Sequence, residues 1–336
     1  MSASVFSKAE APRPRDPDGA TVTAMTSASR YTYLGPEGTF TEAALRTLPE
    51  AATRALIPMI SVPAALDAVR VGEAAGSLVP IENSVEGGVT STVDELATGE
   101  PLMIYREVLL PIAFALLVRP GTSLEDVKTV TGHPVAQPQV RGWLGRHLPD
   151  AVWESAASNA DGARLVQEGR FDAAFAGEFA AATYGLTPLV TGIHDADNAT
   201  TRFVLVGRPA RPAAPTGADK TSVVLWLRED HPGALLDVLQ EFATRGVNLS
   251  RIESRPTGKG IGQYCFSVDC EGHVAERRVG ESLMGLRRLC SDVRFLGSYP
   301  RADQVRPTVV EGTRDADFLA ASDWLTRCLD GRPGPA

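Results

Sequence analysis

Residues 77–88 read Ser-Leu-Val-Pro-Ile-Glu-Asn-Ser-Val-Glu-Gly-Gly. The run 77–81 is apolar enough for a buried strand, and it stops at Glu82-Asn83-Ser84, where three polar side chains follow one another. Gly87-Gly88 then leads into a helix through Val93 and Leu96. A buried strand that passes through a polar loop into a helix is the unit of α/β layered domains, and the unit recurs on both sides of this stretch. Upstream, 31–34 reads as a strand, Thr39 opens a helix with Glu42 three residues later in a capping box, 54–60 is strand-like, and 63–71 is a helix with Pro63 near its start. Downstream, 103–118 is long and apolar but interrupted by Arg106, Glu107 and Pro111, so it reads as a crossing between two lobes and not as a membrane span. Strands at 127–131, 152–154 and 171–176 then alternate with helices at 135–147, after Ser158 with Asp161, and at 178–184. The chain returns through 189–193 to Phe203. This pattern predicts a two-lobed α/β domain over 31–208, with a cleft between lobes, where small-molecule sites are often built.

Prolines 209, 212 and 215 with Gly217 defeat both helix and strand, so 209–219 reads as a linker. Over 220–300 the order becomes strand-helix-strand-strand-helix-strand. Residues 221–227 are apolar, and Leu235, Leu239 and Phe242 share a helix face. A strand at 247–255 meets a hairpin turn at Gly258-Lys259-Gly260, and Tyr264, Phe266 and Val268 alternate beyond it. Val279, Leu283 and Leu286 mark a second helix, and Val293, Phe295 and Tyr299 a last strand. This is a small ferredoxin-like βαββαβ unit. Residues 1–30 are rich in Ala, Pro, Ser, Asp and Arg with no apolar run, which predicts a disordered extension and no signal peptide, with Met25 as an alternative start. In the tail, 301–336, Phe318, Ser322, Leu325 and Leu329 predict a short helix docked on the body.

The composition is that of an ordinary globular chain: 336 residues, 43% hydrophobic and 22% charged. A formal charge of -8 argues against a general nucleic-acid binder, which needs a basic face. The four cysteines, Cys265, Cys270, Cys290 and Cys328, have no metal-ligand spacing and read as reduced, mostly buried thiols of a cytoplasmic protein. His133, His194 and Asp195 invite a metal or triad reading. However, no Ser or Cys stands in a nucleophile-elbow context and no His pair has zinc spacing.

The chemistry-bearing residues sit at strand ends and helix starts. Asn198-Ala199-Thr200-Thr201-Arg202-Phe203 runs into the apolar Val204-Leu205-Val206. Thr39, Ser84 and Thr201 offer hydroxyls, Asn83 an amide and Arg202 a full charge, while helix N-termini add unpaired N–H groups and partial positive charge. Such a set suits a ligand with more than one carboxylate. Plainer alternatives remain for each: Thr39 as a helix cap, Glu82 as a loop carboxylate in an ion pair, and Asn83 and Ser84 in a turn that uses their side chains on its own backbone.

Three segments, in order, resemble the prephenate dehydratase family: Gly35-Pro36-Glu37-Gly38-Thr39-Phe40, Pro80-Ile81-Glu82-Asn83-Ser84, and Thr201-Arg202-Phe203 preceded by Asn198, with His133-Pro134 and Gln137 as a weaker fourth. The resemblance covers about 31–299. It implies a periplasmic-binding-protein-like catalytic domain of the monofunctional type, decarboxylating dehydration of prephenate to phenylpyruvate, and no metal or other cofactor. It puts Thr201 at the catalytic position, Arg202 on a substrate carboxylate and Phe203 in the pocket wall. Thr39, Phe40, Asn83 and Ser84 complete the expected substrate site, and Glu82 is a candidate proton source if burial raises its pKa. The βαββαβ unit resembles an ACT domain. Gly233-Ala234-Leu235-Leu236 and Glu253-Ser254-Arg255-Pro256, with Asn248 and Leu249, resemble its phenylalanine-binding motifs. That implies feedback by phenylalanine and a homodimer or homotetramer built through ACT domains. Arogenate dehydratase and a non-catalytic amino-acid sensor are the alternatives.

Overall fold

The computed structural model describes residues 29–195, 199–229, 231–257, 264–332 and 334. The expected extension before residue 29, the alternative start at Met25, Asn198 and the turn at Gly258-Lys259-Gly260 lie outside the described residues. Lobe 1 begins with β1 (Arg30–Leu34), α1 (Phe40–Arg46), β2 (Ala55–Met59), α2 (Val62–Arg70), β3 (Gly76–Asn83), the two-residue β4 (Gly87–Gly88), α3 (Thr90–Thr98) and β5 (Met103–Pro111). Lobe 2 contains β6 (Phe114–Val118), β7 (Thr129–Gly132), α4 (Gln137–His147), β8 (Val152–Ser155), α5 (Asn159–Gln167), β9 (Ala173–Ala176), α6 (Ala180–Tyr184) and β10 (Thr187–Ile193). β11 (Thr200–Gly207) then returns to the first sheet, whose order is β2-β1-β3-β11-β5, while the second runs β10-β6-β9-β7-β8. The apolar stretch 103–118 is thus the crossing expected, one strand in each lobe. The expected strand starts at Arg30, one residue earlier, because Ala75 N bonds the Arg30 carbonyl at 3.0 Å. No helix among the described residues is long and apolar enough to cross a membrane.

The third unit is β12 (Asp219–Trp226), α7 (Ala234–Ala243), β13 (Leu249–Pro256), β14 (Tyr264–Glu271), α8 (Arg277–Leu289) and β15 (Asp292–Pro300), with sheet order β13-β14-β12-β15. The strand takes in Asp219, assigned to the linker from sequence. Its carboxylate is buried and accepts from Thr216 N at 2.7 Å and Gly217 N at 2.9 Å, which fixes the entry to β12.

One face of this sheet packs under α7 and α8 around Val223, Leu225, Val238, Phe242 and Leu286. The other face does not meet solvent. Val224, Cys265, Leu296 and Tyr299 join Val79, Ile81, Val93, Leu96, Ile104, Val204 and Val206 in a single core with lobe 1. This is why the second half of β12, Val223 to Trp226, is apolar without alternation, since both of its faces are covered. The close approach has a steric condition at Gly297, φ +134°, where an added Cβ would meet the Ile104 carbonyl oxygen at 2.3 Å.

The tail helix α9 (Asp315–Leu329) exists, but it is 15 residues long and none of them is buried. Its apolar residues Leu319, Trp324, Leu325 and Leu329 are exposed. Its link to the body is Asp315, whose Oδ1 accepts from Arg277 N at 2.8 Å. The helix lies against α8, as expected of a docked helix, with Phe318 half-buried, while Leu325 and Leu329 of its expected apolar face are exposed.

Candidate active site

Between the lobes lies a cleft of about 660 Å³. Lobe 1 contributes the start of α1 (Thr39, Phe40, Thr41) and a floor of Asn83, Thr201 and Phe203. Lobe 2 contributes Phe114, His133, Gln139 and the start of α5 from Ser158 to Asp161. Phe40 stands edge-on to two rings of lobe 2, Phe114 at 5.6 Å and Phe179 at 5.3 Å, and Tyr184 Oη donates to the Glu37 carbonyl at 2.7 Å. These contacts hold the lobes together at one end of the cleft.

Two helix N-termini face this space from opposite lobes, and they are built alike. Thr39 caps α1 by accepting from Glu42 N at 3.3 Å, and Ser158 caps α5 by accepting from Asp161 N at 2.9 Å. In each case the acid three residues on accepts from the N–H just before the cap: Gly38 N to Glu42 Oε2 at 2.6 Å, and Ala157 N to Asp161 Oδ2 at 3.3 Å. The capping box expected at Thr39 is therefore shifted by one residue on its return bond. The N–H groups of Phe40, Thr41, Asn159 and Ala160 occupy the first two positions of their helices, where no carbonyl of the same helix can accept. Together with the helix dipoles they favour carboxylates. Among the described residues no Lys or Arg lines the cleft.

Thr201 is paired in register with Asn83 across β11 and β3, and Asn83 Nδ2 donates to Thr201 Oγ1 at 2.9 Å. The amide orientation is fixed because Asn83 Oδ1 accepts from Val85 N at 2.8 Å and from Glu86 N at 3.2 Å. The Thr201 oxygen is thus an acceptor toward Asn83, and its own hydrogen is left to point into the cleft. Asn83 thus serves its own turn and also lines the cleft.

Arg202 does not enter the cleft. Successive side chains of a strand face opposite ways. Phe203 and Leu205 pack with Tyr31 and Leu45, whereas Val204 and Val206 pack toward the third sheet. Arg202 follows the latter pair and is buried at 5% exposure. It is bonded to Glu107 at 2.7 Å, Asp269 at 2.5 Å and Tyr299 Oη at 2.8 Å. Glu82 lies on that same face, since the register slips between Arg202 and Phe203, and its carboxylate sits 3.4 Å from Arg202 Nη1. The place expected for Arg202 on a substrate carboxylate is thus corrected, and Glu82 is not positioned to hand a proton to anything in the cleft. Ser84 is exposed; its Oγ accepts from Thr200 N at 2.9 Å, tying the strand ends together instead of lining the site.

Reading the sequence alone singled out Gln137, which is exposed, and missed Gln139, which is 4% exposed and lines the cleft. Gln139 Nε2 donates to the Val135 carbonyl at 3.0 Å, while its amide oxygen is buried with no partner among the described residues. The signal was the one-turn spacing from Val135 on a helix that Pro134 starts. His133 is half-buried, and burial lowers its pKa below 6.5, opposed in part by Glu86. Its Nδ1 accepts from Val135 N at 3.3 Å, which fits the neutral ring. Asp195 is occupied with the α4 backbone, accepting from Gly142 N and Trp143 N.

In the third unit, Gly233 sits at φ +94° before α7; Ala234 is buried, while Leu235 and Leu236 are 39% and 55% exposed. The register sets Trp226, Cys265 and Arg255 side by side, at the end of the sheet where α7 begins. Leu249 pairs with Cys270 at the other end. Seven residue steps along β13, roughly 23 Å, therefore separate Asn248 and Leu249 from the Ser254–Pro256 end. Arg255 is bidentate on Asp94 of α3, at 2.8 and 3.0 Å, and Glu253 pairs with Arg251 at 2.7 Å. All four cysteines are free, and Cys265, Cys270 and Cys290 are buried.

Comparison with known proteins gives a consistent answer. The family model described as prephenate dehydratase matches residues 31–211, and the ACT-domain model matches 221–284. A prephenate dehydratase of Mycobacterium ulcerans is 47% identical over 313 residues, covering 91% of this chain and 97% of that protein. A crystal structure of prephenate dehydratase from Arthrobacter aurescens in complex with L-Phe is 49% identical with a TM-score of 0.86, covering 90% of this chain and 99% of that one. A protein described as a novel type of quorum-quenching acylase shares the fold at 29% identity and a TM-score of 0.73, covering 81% and 97%. Fold alone therefore does not name the chemistry.

Proposed function

The chain belongs to the prephenate dehydratase family, and we propose the following roles for its residues in that reaction. The chain is a carbon–oxygen lyase that converts prephenate to phenylpyruvate. The ring carboxylate leaves as carbon dioxide, its bonding pair enters the ring, and the ring carbon–oxygen bond breaks, with the hydroxyl leaving as water once it gains a proton. Aromatisation drives the step, so the site has to orient the substrate and favour charge on the departing oxygen.

The observation that carries the assignment is the fixed Asn83-to-Thr201 hydrogen bond. It directs the Thr201 hydrogen to the leaving oxygen as a donor; a threonine hydroxyl is too weak an acid to do more. The two opposed helix N-termini, at Thr39 and Ser158, suit the two carboxylates of prephenate. Phe40, Phe114 and Phe203 supply the apolar wall for the ring.

Phenylalanine is the effector in this reading, since the Arthrobacter relative was crystallised with L-Phe and an ACT model matches here. The separation of Asn248 and Leu249 from the other end of β13, near which α7 begins after Gly233, with Leu235 and Leu236 exposed, favours a site completed by a second subunit, hence a homodimer or homotetramer through ACT domains. Free, buried cysteines fit a cytoplasmic enzyme. The test is phenylpyruvate formation from prephenate, read by absorbance in alkali, with and without phenylalanine. Turnover suppressed by phenylalanine supports both halves. Turnover indifferent to it removes the effector. No turnover by folded protein, with arogenate consumed instead, moves the substrate to the amine; neither substrate consumed leaves a sensor.

A further inference from the structure

The charge network beneath the cleft floor contains more than the catalytic domain needs. Arg202 has four partners, two from lobe 1 (Glu107 and Glu82) and two from the third sheet (Asp269 and Tyr299). Asp269 is itself held from the regulatory side: Ser222 Oγ donates to its Oδ1 at 2.5 Å, and Arg251 Nη1 lies 3.8 Å from its Oδ2. Ser222 Oγ and Tyr299 Oη are 2.6 Å apart, closing the ring. Arg251 also grips Glu253, whose carboxylate rests on Gly88; a Cβ added there would come 2.0 Å from Glu253 Oε2. Gly88 pairs in register with Glu82, so the circuit returns to Arg202.

We infer that Arg202 is a positioning residue, through which the regulatory sheet, gripping at Asp269 and Tyr299, sets the place of Thr201 and passes the effector's signal to it. This rests on the proposed dehydratase reading. Arg202 is the residue next to Thr201 on β11, at the point where the pairing with β3 slips register, and such irregularities re-aim neighbouring side chains. A guanidinium buried to this degree must keep its partners, because losing one leaves a charge uncompensated. Any shift of the third sheet against lobe 1 therefore has to carry Arg202 with it or break the cluster, and either outcome moves the Thr201 hydroxyl relative to Asn83. The start of the route, at Arg251 and Glu253, lies on the strand that bears the Glu253–Pro256 motif. A two-state element biased at both ends is what coupling requires.

The test uses full-length protein carrying Asp269→Asn or Tyr299→Phe, the latter removing a single oxygen and leaving the ring packed. Each variant is checked for folding by thermal melting, then assayed for kcat and KM with prephenate and for the phenylalanine concentration giving half-inhibition. The expected result is a fall in kcat of about tenfold for Asp269→Asn with KM within about twofold, because the helix N-termini that hold carboxylates are untouched. Phenylalanine response should weaken by about fivefold or more in both variants. A purely structural role would lower the melting temperature without this split. Folded variants with wild-type kcat and wild-type inhibition overturn the inference. If the wild-type enzyme itself ignores phenylalanine, the effector reading fails separately, and the kcat comparison still decides the positioning role.

Discussion

Asn83 Nδ2 and Thr201 Oγ1 are 2.9 Å apart on paired strands, and two backbone N–H groups bonded to Asn83 Oδ1 fix which of the two donates. The threonine hydroxyl therefore accepts from Asn83, and its proton is available to a group in the cleft. Thr201→Ala removes a preorganised donor, which typically costs about 2.7–4 kcal/mol, so kcat should fall by a hundredfold or more. Thr201→Ser keeps the oxygen and should retain activity within about tenfold. Asn83→Ala should fall between the two, since it frees the rotor without deleting it. Steady-state kcat at saturating prephenate separates these three; Thr201→Ala as active as wild type would remove the residue from the mechanism.

Glu82 offers a contrast. Its carboxylate meets Arg202 on the face of β3 turned to the regulatory sheet. Glu82→Gln should therefore leave the acidic limb of the kcat–pH profile in place, with at most a modest change in rate. A limb that vanishes in this variant would restore Glu82 as the proton source.

Stability should fall with acid in two stages. Burial holds the His133 pKa below 6.5, so between the folded and unfolded values the unfolded chain binds more protons, and stability declines as pH drops from about 6.5. Asp269 is fully buried; that burial alone would raise its pKa, but Arg202 leads the opposing contacts and brings it down to about 2 from 3.8. Its contribution, on the order of 2 kcal/mol, is present above the unfolded value and lost as pH falls toward 2. Denaturant melts of wild type and Asp269→Asn at pH 7, 4 and 3 read this directly. The variant should start less stable at pH 7 and lose less between pH 4 and 3. Parallel curves would show that Asp269 does not titrate as described.

Much of this was legible before any coordinates. The alternation of apolar runs and capped helices located nearly every element, and Thr39, Phe40, Asn83, Thr201 and Phe203 all reach the cleft. What failed was the treatment of neighbours as companions. Thr201-Arg202 and Glu82-Asn83 are adjacent in the chain, and a strand sends adjacent side chains to opposite faces. Period-two alternation alone could have separated Thr201 from Arg202. The matching slip that turns Glu82 with Arg202 is a register irregularity, which no local pattern announces. Nor could the sequence show that Val223 to Trp226 of β12 is apolar on both faces because it completes lobe 1's core. That depends on residues more than a hundred positions apart, such as Val79 and Val224, sharing one core. The tail helix differs the other way: its apolar positions predict a docking face, yet Leu325 and Leu329 are exposed, and a polar contact from Asp315 to α8 helps to hold it.

Among the described residues no Lys or Arg lines the cleft, and this has a kinetic consequence. A site that captured a dianion with exposed arginines would lose affinity steeply as salt screened them. Here the groups left for carboxylates are backbone N–H donors at Phe40, Thr41, Asn159 and Ala160, held inside a cavity, where screening is weaker. The protein as a whole carries a formal charge of -8 and repels prephenate at long range. Raising salt should relieve that repulsion more than it weakens the short-range contacts, so kcat/KM for prephenate should stay level or rise between about 0.05 and 0.3 M sodium chloride. Initial rates at low prephenate across that range provide the check. A kcat/KM that falls severalfold would mean that a positive side chain reaches the substrate after all, and the first to examine would be one supplied by a second subunit.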